Sequence, residues 1–209
     1  MSSLRRFFPL AAAFFLAAFG SASTLRAGAI IVFAEIGSDV VASGSGTLNL
    51  GGLLYQGTNN FGGAFVDPSW PEIAVGPPLV LQYAWYSGTI NGPPLMGPGG
   101  TTDADSGSGT LVDLDYTRGS LNVSNSYSSG DAFTTSSTWN NATFASLGLT
   151  PGAYTYTWGS GSNADFLTFQ IGTAAAVPEP SSLLLAATLA GGIGTLRLAQ
   201  RALRRRKAA

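Results

Sequence analysis

The middle of this chain is broken by turn-forming residues so often that only short strands fit between them. Of the 209 residues, 28 are Gly and 11 are Pro, and Ser and Thr are also frequent. Gly, Pro and Ser favour turns, whereas the apolar runs between them contain many β-branched and aromatic residues, which favour strands. The pattern therefore predicts an all-β domain instead of a helical one.

Several strands can be placed by their residues. Apolar or β-forming runs cover residues 29–36, 40–50 and 79–86, and each is followed by turn residues. Aromatic residues alternate with Thr over residues 154–158, and apolar residues alternate over residues 166–171. These last two segments are predicted to pair as a hairpin across the loop between them.

The prolines help to delimit the domain. They are concentrated in residues 68–100, whose remainder outside the strand 79–86 is expected to form loops at an edge or an end of a sheet. The one helical signal is a single turn at residues 143–147. Residues 28–173 are thus predicted to form an antiparallel β-sandwich or jelly-roll-like domain.

Residues 112–116 show a clean alternation of apolar and acidic side chains. Val112, Leu114 and Tyr116 would point to one face, and Asp113 and Asp115 to the other. This pattern is typical of a strand with one face in the core and one face in water. We therefore expect both aspartates to lie in solvent. A glycoside hydrolase needs two carboxylates, but no spacing here distinguishes an acid from a base.

Opposite charges are segregated along the chain. Residues 28–176 carry ten carboxylates and one basic residue, Arg118, a net charge of about −9. Nucleic acid is not expected as a partner, because a domain that grips phosphates needs basic residues on its folded part. The chain has no Cys and no His. Disulfides, His- or Cys-dependent catalytic triads and zinc-hydrolase sites are therefore excluded, and no cofactor is predicted.

The first residues have the organisation of a secretory signal peptide. Arg5 and Arg6 precede an apolar run over residues 7–19, after which small side chains follow. This order predicts that residues 1–23 are a signal peptide for export, cleaved after Ala22 or Ser23, with Ala27 as a later cleavage site. An uncleaved membrane anchor is the alternative.

The C-terminal stretch has three features in order. Val177, Pro178, Glu179 and Pro180 form a stiff segment, because proline fixes φ and lacks a backbone donor. Sixteen uncharged residues follow, and a helix over residues 181–203 would cross the roughly 30 Å hydrocarbon core. Basic residues come last: Arg201, Arg204, Arg205, Arg206 and Lys207. Such residues stay in the cytoplasm, so the acidic domain is predicted to lie outside. An amphipathic helix on the membrane surface is the alternative.

In this order of motif, apolar segment and basic tail, residues 177–207 resemble the PEP-CTERM sorting signal of Gram-negative bacteria. The resemblance implies recognition by exosortase, an integral membrane cysteine transpeptidase-like enzyme. Pro178, Glu179 and Pro180 would be its recognition motif, and the basic cluster would be a retention stop. The resemblance also implies a link to exopolysaccharide and biofilm production.

Three phrases of the middle are similar to a β-rich subgroup of PEP-CTERM proteins: residues 33–53, 92–100 and 139–172. That similarity implies a shared exported β-domain and no particular activity. The first hypothesis is therefore a structural or adhesive protein of the envelope or exopolysaccharide matrix, without enzymatic activity. It would be held at the inner membrane with its domain in the periplasm, and would reach the surface or medium after processing.

Further hypotheses depend on individual side chains. Asp103 and Asp105 alternate in a Gly- and Ser-rich loop and could bind Ca²⁺, although the rest of an EF-hand loop is missing and a solvated turn explains them as well. Trp158, beside Gly159, is the best-placed aromatic for stacking on a sugar ring, unless it fills the core. The alternative function is a carbohydrate-binding module with an aromatic platform, and the third is a secreted carboxylate-dependent glycoside hydrolase.

Overall fold

The structure is a computed structural model that describes residues 28–172. The described part is all β, with fourteen strands, two 3-10 turns at Leu50–Gly52 and Gly161–Asn163, and no α-helix. The predicted signal peptide 1–23 and the predicted sorting signal 177–207 lie outside the described residues.

Within residues 28–172 there is no helix with the length and apolarity needed for a membrane span.

The strands form two sheets of seven strands each. In chain order they are β1 Ala29–Ile36, β2 Asp39–Thr47, β3 Leu54–Gly62, β4 Phe65–Asp67, β5 Glu72–Val75, β6 Val80–Ser87, β7 Ile90–Asn91, β8 Thr102–Asp103, β9 Ser106–Gly109, β10 Val112–Asp115, β11 Ser120–Ser124, β12 Ala132–Trp139, β13 Gly152–Trp158 and β14 Asp165–Ile171. Sheet A has the order β7-β13-β14-β1-β2-β12-β9, and sheet B the order β3-β6-β11-β10-β5-β4-β8.

One hydrophobic core joins the two sheets. The inward-facing alternate residues of β1 and β14 in sheet A, such as Phe33 and Phe169, are fully buried in the same cluster as Leu114 and Leu121 of sheet B. Each such side chain contributes about 1.5–3 kcal/mol when it leaves water. Because the chain has no Cys, this core must hold the domain without disulfides.

A buried polar link also connects the sheets. The hydroxyl Oγ of Ser137 in β12 accepts a 2.8 Å hydrogen bond from the backbone N–H of Gly76 and donates a 2.9 Å bond to the carbonyl of Gly76. Gly76 directly follows β5 of sheet B, whereas β12 belongs to sheet A. The two bonds satisfy both backbone groups of Gly76 in a place that water does not reach.

The strand predictions for residues 29–36 and for the hairpin are confirmed. β1 covers Ala29–Ile36 as predicted, and β13 pairs antiparallel with β14. The sheets are not wholly antiparallel, however, because β1 pairs with β14 in parallel. This parallel pair places the first and the last strand of the described domain side by side in the middle of sheet A.

The expectation that the proline-rich remainder of residues 68–100 forms only loops is wrong for β5 and for the two-residue strand β7. Strand β5 lies inside sheet B, between β10 and β4. Its four residues Glu72–Val75 fit between Pro71 and Pro77, so that the prolines flank the hydrogen-bonded ladder without interrupting it. The central position of β5 is what brings Glu72 to the site described next.

Candidate functional site

The face of sheet B that points away from the core carries a recess of about 350 Å³. Its volume is at the lower end of the range for small-molecule sites. The recess combines carboxylates, an amide, a guanidinium and aromatic rings: Glu72, Asp113, Asp115, Asn122, Arg118, Tyr83 and Trp85. We call it the acidic recess.

Strand register explains why these residues meet. Asp113 of β10 lies opposite Asn122 of β11, and Asn122 lies opposite Trp85 of β6. In the neighbouring row, Asp115 lies opposite Glu72 of β5. Side chains directly opposite each other in antiparallel strands have Cβ atoms about 4.5–5.5 Å apart. Four strands therefore bring residues that are distant in the chain to one site.

Asp113 and Asp115 point away from the core, but they are not in solvent. Only 7% of Asp113 and 1% of Asp115 is exposed. They lie on a central strand, between β11 and β5, and the half-buried rings of Tyr83 and Trp85 line the same recess. The prediction that both aspartates lie in solvent is therefore wrong, because side chains of the neighbouring strands cover most of their surface.

Asp115 is held by Arg118. The backbone N–H of Arg118 donates to Asp115 Oδ1 at 2.9 Å, and its Nη1 donates to Asp115 Oδ2 at 2.8 Å. The same Nη1 atom is 3.7 Å from Glu72 Oε2, and the guanidinium carbon is 6.0 Å from the centre of the Trp70 ring. The Arg118 side chain is 66% exposed, so it brings its charge from the solvent side.

Asp113 and Asn122 leave two buried oxygens without a partner. Nδ2 of Asn122 donates to Asp113 Oδ2 at 2.7 Å. Asp113 Oδ1 and Asn122 Oδ1 make no hydrogen bond, and both residues line the recess. An unpaired buried polar group costs about 1–3 kcal/mol, so this arrangement is unfavourable unless another group supplies the missing bonds.

Two carboxyl groups of the recess, those of Glu72 and Asp113, have pKa values far above their ordinary range. Burial, with the nearby charges of Asp113 and Asp115, raises the pKa of Glu72 to about 8, against the opposing charge of Arg118. Burial also raises the pKa of Asp113 to about 7, although its hydrogen bond from Asn122 acts in the other direction. Both groups therefore exchange protons near neutral pH, which is common at binding and catalytic sites.

Trp158, the predicted stacking residue, does not offer a face to solvent. It is 2% exposed, and its Nε1 donates a 2.8 Å hydrogen bond to the carbonyl of Asn49. Asn49 caps the 3-10 turn Leu50–Gly52, which thus lies against the indole. The stacking hypothesis for this residue is contradicted, and the alternative that Trp158 fills the core is what the structure shows.

The loop with Asp103 and Asp105 is exposed and crosses from sheet B to sheet A. Asp105 Oδ2 accepts a 2.7 Å hydrogen bond from the backbone N–H of Asn140. No three acidic or other metal-ligating side chains within residues 28–172 are grouped so that they could hold a metal ion. The Ca²⁺ hypothesis for Asp103 and Asp105 stays a prediction. The predicted sorting motif 177–180 and the basic cluster 201–207 lie outside the described residues.

Sequence reasoning missed Glu72 and Asn122 as site residues, and among the tryptophans it favoured Trp158 over Trp85. A signal for Asn122 was present, because Ser120, Asn122 and Ser124 alternate with apolar residues directly after the strand that carries Asp113. Two consecutive strands with polar outward faces, joined by a tight turn, indicate a polar sheet face. The sequence alone does not show that this face is recessed, because part of the lining comes from β4 and β6, which are distant in the chain from β10 and β11.

Comparisons of the chain with protein-family models, with curated proteins and with solved structures found no match. The function of the recess must therefore be inferred from its geometry.

Proposed function

We propose that this chain is an exported surface protein that a PEP-CTERM signal holds at the membrane and that exosortase processes there. The observation that carries the proposal is the order of three features in residues 177–207: the Val-Pro-Glu-Pro motif, an uncharged apolar segment and a basic cluster. In this proposal a signal helix at residues 1–23 and a membrane helix at about residues 181–203 flank a jelly-roll-like β-sandwich. The domain acts as a structural or adhesive component of the envelope or of an exopolysaccharide matrix.

Two properties of the β-domain support a role outside the cytoplasm. Its charge is almost wholly negative, with Arg118 as the one basic residue among residues 28–172, and the positive charges lie towards the two ends of the chain. This distribution agrees with a basic tail left in the cytosol and an acidic domain beyond the membrane. The acidic recess gives such a domain a place to bind a ligand.

Deletion of residues 177–209 tests the proposal in a host that has exosortase. The full chain should fractionate with the envelope, and the truncated chain should be freely soluble outside the cytoplasm. A matched double variant, Pro178→Ala with Pro180→Ala, removes the motif but keeps the span and the basic cluster. It should stay in the membrane with its tail uncleaved, as intact mass would show. Identical fractionation of the full and truncated chains would overturn the proposal.

A carboxylate-dependent glycoside hydrolase is the second candidate. Glu72 and Asp113 line one recess, and carboxyl groups with a raised pKa are suited to act as general acids. Against this candidate, Asp115 has both oxygens bound by Arg118 and is not free to act as a base or nucleophile. Release of reducing sugar from a polysaccharide, abolished by Glu72→Gln, would favour the hydrolase over the binding role.

A further inference from the structure

The acidic recess presents hydrogen-bonding atoms that the protein itself does not satisfy. Asp113 and Asn122 are each 7% exposed, and each has an oxygen without a partner, Oδ1 in both cases. Native structures rarely leave buried polar atoms unpaired, and those that remain unpaired often face a ligand or a water molecule. This observation is independent of the clustering of acidic residues in the same place.

The recess also contains aromatic surface beside these polar atoms. Trp85 lies opposite Asn122 in the β6–β11 register, and Tyr83 is two residues before Trp85 on the same face of β6. Both rings are half-buried and line the recess. A ligand that fits must therefore bring hydroxyl or amine groups to Asp113 and Asn122 and an apolar surface to the rings of β6.

The charge state of the recess distinguishes among such ligands. Among the residues that line the recess, the one guanidinium, that of Arg118, is already engaged with Asp115, so it is not free to bind an anionic ligand. The partial protonation of Asp113 near neutral pH weakens binding of a cation, which requires the ionised form. A sugar hydroxyl carries no charge of its own, and it can donate to the oxygen of Asp113 that has no partner.

We propose that the acidic recess binds a neutral sugar residue, with Asp113 and Asn122 bonded to its hydroxyl groups and Trp85 and Tyr83 covering its apolar face. The inference deepens the proposed function, since it names the partner class through which an adhesive matrix protein would hold polysaccharide. It moves the aromatic platform from Trp158, which is buried, to β6.

The test uses the full chain, purified in a detergent that has no sugar headgroup. An array of neutral, acidic and amino oligosaccharides identifies a ligand, and calorimetric titration then gives its Kd. Two variants probe the recess: Asp113→Asn keeps the side-chain volume and the contact with Asn122 but removes the carboxylate, and Trp85→Leu removes an aromatic ring. Their matched controls are Asp103→Asn and Tyr55→Leu, which change an exposed aspartate and an exposed aromatic that do not line the recess.

A neutral oligosaccharide should bind, with a Kd raised about tenfold or more by Asp113→Asn and about fivefold or more by Trp85→Leu. Both control variants should keep the original Kd within a factor of about two. Circular dichroism shows whether each variant folds. If Trp85→Leu does not fold, the Kd of Asp113→Asn alone decides whether the recess binds the sugar.

The inference is overturned if the full chain binds no neutral oligosaccharide, or binds acidic sugars or Ca²⁺ alone. It is also overturned if the Kd is unchanged in a folded Asp113→Asn variant. Envelope fractionation of the same proteins separates the two proposals. If the chain fractionates with the envelope but binds no sugar, the proposed location stands and the sugar site is overturned. If the chain binds sugar but is not held at the membrane, the sugar site stands and the proposed location is overturned.

Discussion

Asn122 donates its 2.7 Å hydrogen bond to Asp113 between two central strands of sheet B, where both side chains are almost fully buried. The bond favours the ionised carboxylate, but burial has the larger effect and raises the pKa of Asp113 to about 7. Ionisation of Asp113 is therefore linked to folding. The same pair contributes the two unpaired oxygens of the acidic recess.

The first prediction concerns this linkage. The pKa of Asp113 is raised from an ordinary value of 3.8, so between about pH 4 and pH 7 the unfolded chain releases a proton that the folded chain retains. The free energy of unfolding should fall by a few kcal/mol as the pH rises through this window, and the contribution of Asp113 should be constant above it. Urea unfolding of the full chain at several pH values, followed by tryptophan fluorescence, measures the change. All four tryptophans lie within residues 28–172.

Neighbouring charges make the choice of variants important. Glu72, Asp115 and Arg118 face Asp113 in the recess, and the pKa of Glu72 is raised from 4.5 to about 8, so Glu72 adds a decline of its own between these pH values. Asp113→Asn should remove the contribution of Asp113, about half of the decline below pH 7, whereas Asp131→Asn, which changes an exposed residue, should leave the decline intact. An unaltered pH profile in Asp113→Asn would contradict the prediction.

The second prediction concerns the buried hydroxyl of Tyr127. It accepts a 2.7 Å hydrogen bond from the backbone N–H of Leu48 and donates a 2.7 Å bond to the carbonyl of Asp131. Tyr127→Phe would leave the buried N–H of Leu48 without its partner, so the free energy of unfolding should fall by about 1–3 kcal/mol. Urea unfolding measures this loss.

Tyr154→Phe is the matched control for Tyr127→Phe. Its hydroxyl donates one bond, 2.9 Å long, to the carbonyl of Thr150 at an exposed position. Water can replace this bond, so the loss should be smaller than about 1 kcal/mol. Equal losses of stability in the two variants would contradict the prediction that the buried bond from Leu48 to Tyr127 matters more than the exposed bond of Tyr154.

The third prediction separates a core tryptophan from a surface one. Trp158 is buried and bonded to Asn49, so Trp158→Ala should lower the free energy of unfolding by about 3–5 kcal/mol. Trp70 is 46% exposed, and Trp70→Ala should cost no more than about 1 kcal/mol. Chemical unfolding of the two variants provides the measurement. A Trp158→Ala variant with unchanged stability would restore this residue as a candidate surface platform.

The strands of this protein follow closely from local patterns. The apolar run at residues 29–36 and the alternation at residues 154–158 and 166–171 became β1, β13 and β14 with few changes. Alternation could be read from the sequence because side chains in a strand point to opposite faces in turn, a property of each strand by itself. The same property placed Asp113 and Asp115 on the face opposite Leu114.

Composition and spacing along the chain are enough to predict an all-β domain that is free of disulfides and rich in acidic residues, and they supply the order of segments on which the proposed address depends. Which outward faces of the sheets are exposed to water follows from the folded structure alone. Asp113 is buried because strands that are distant in the chain pack beside it, whereas no such strand covers Trp70, which is 46% exposed. Pairing across a sheet depends on contacts between distant residues, and neither composition nor spacing along the chain encodes those contacts locally.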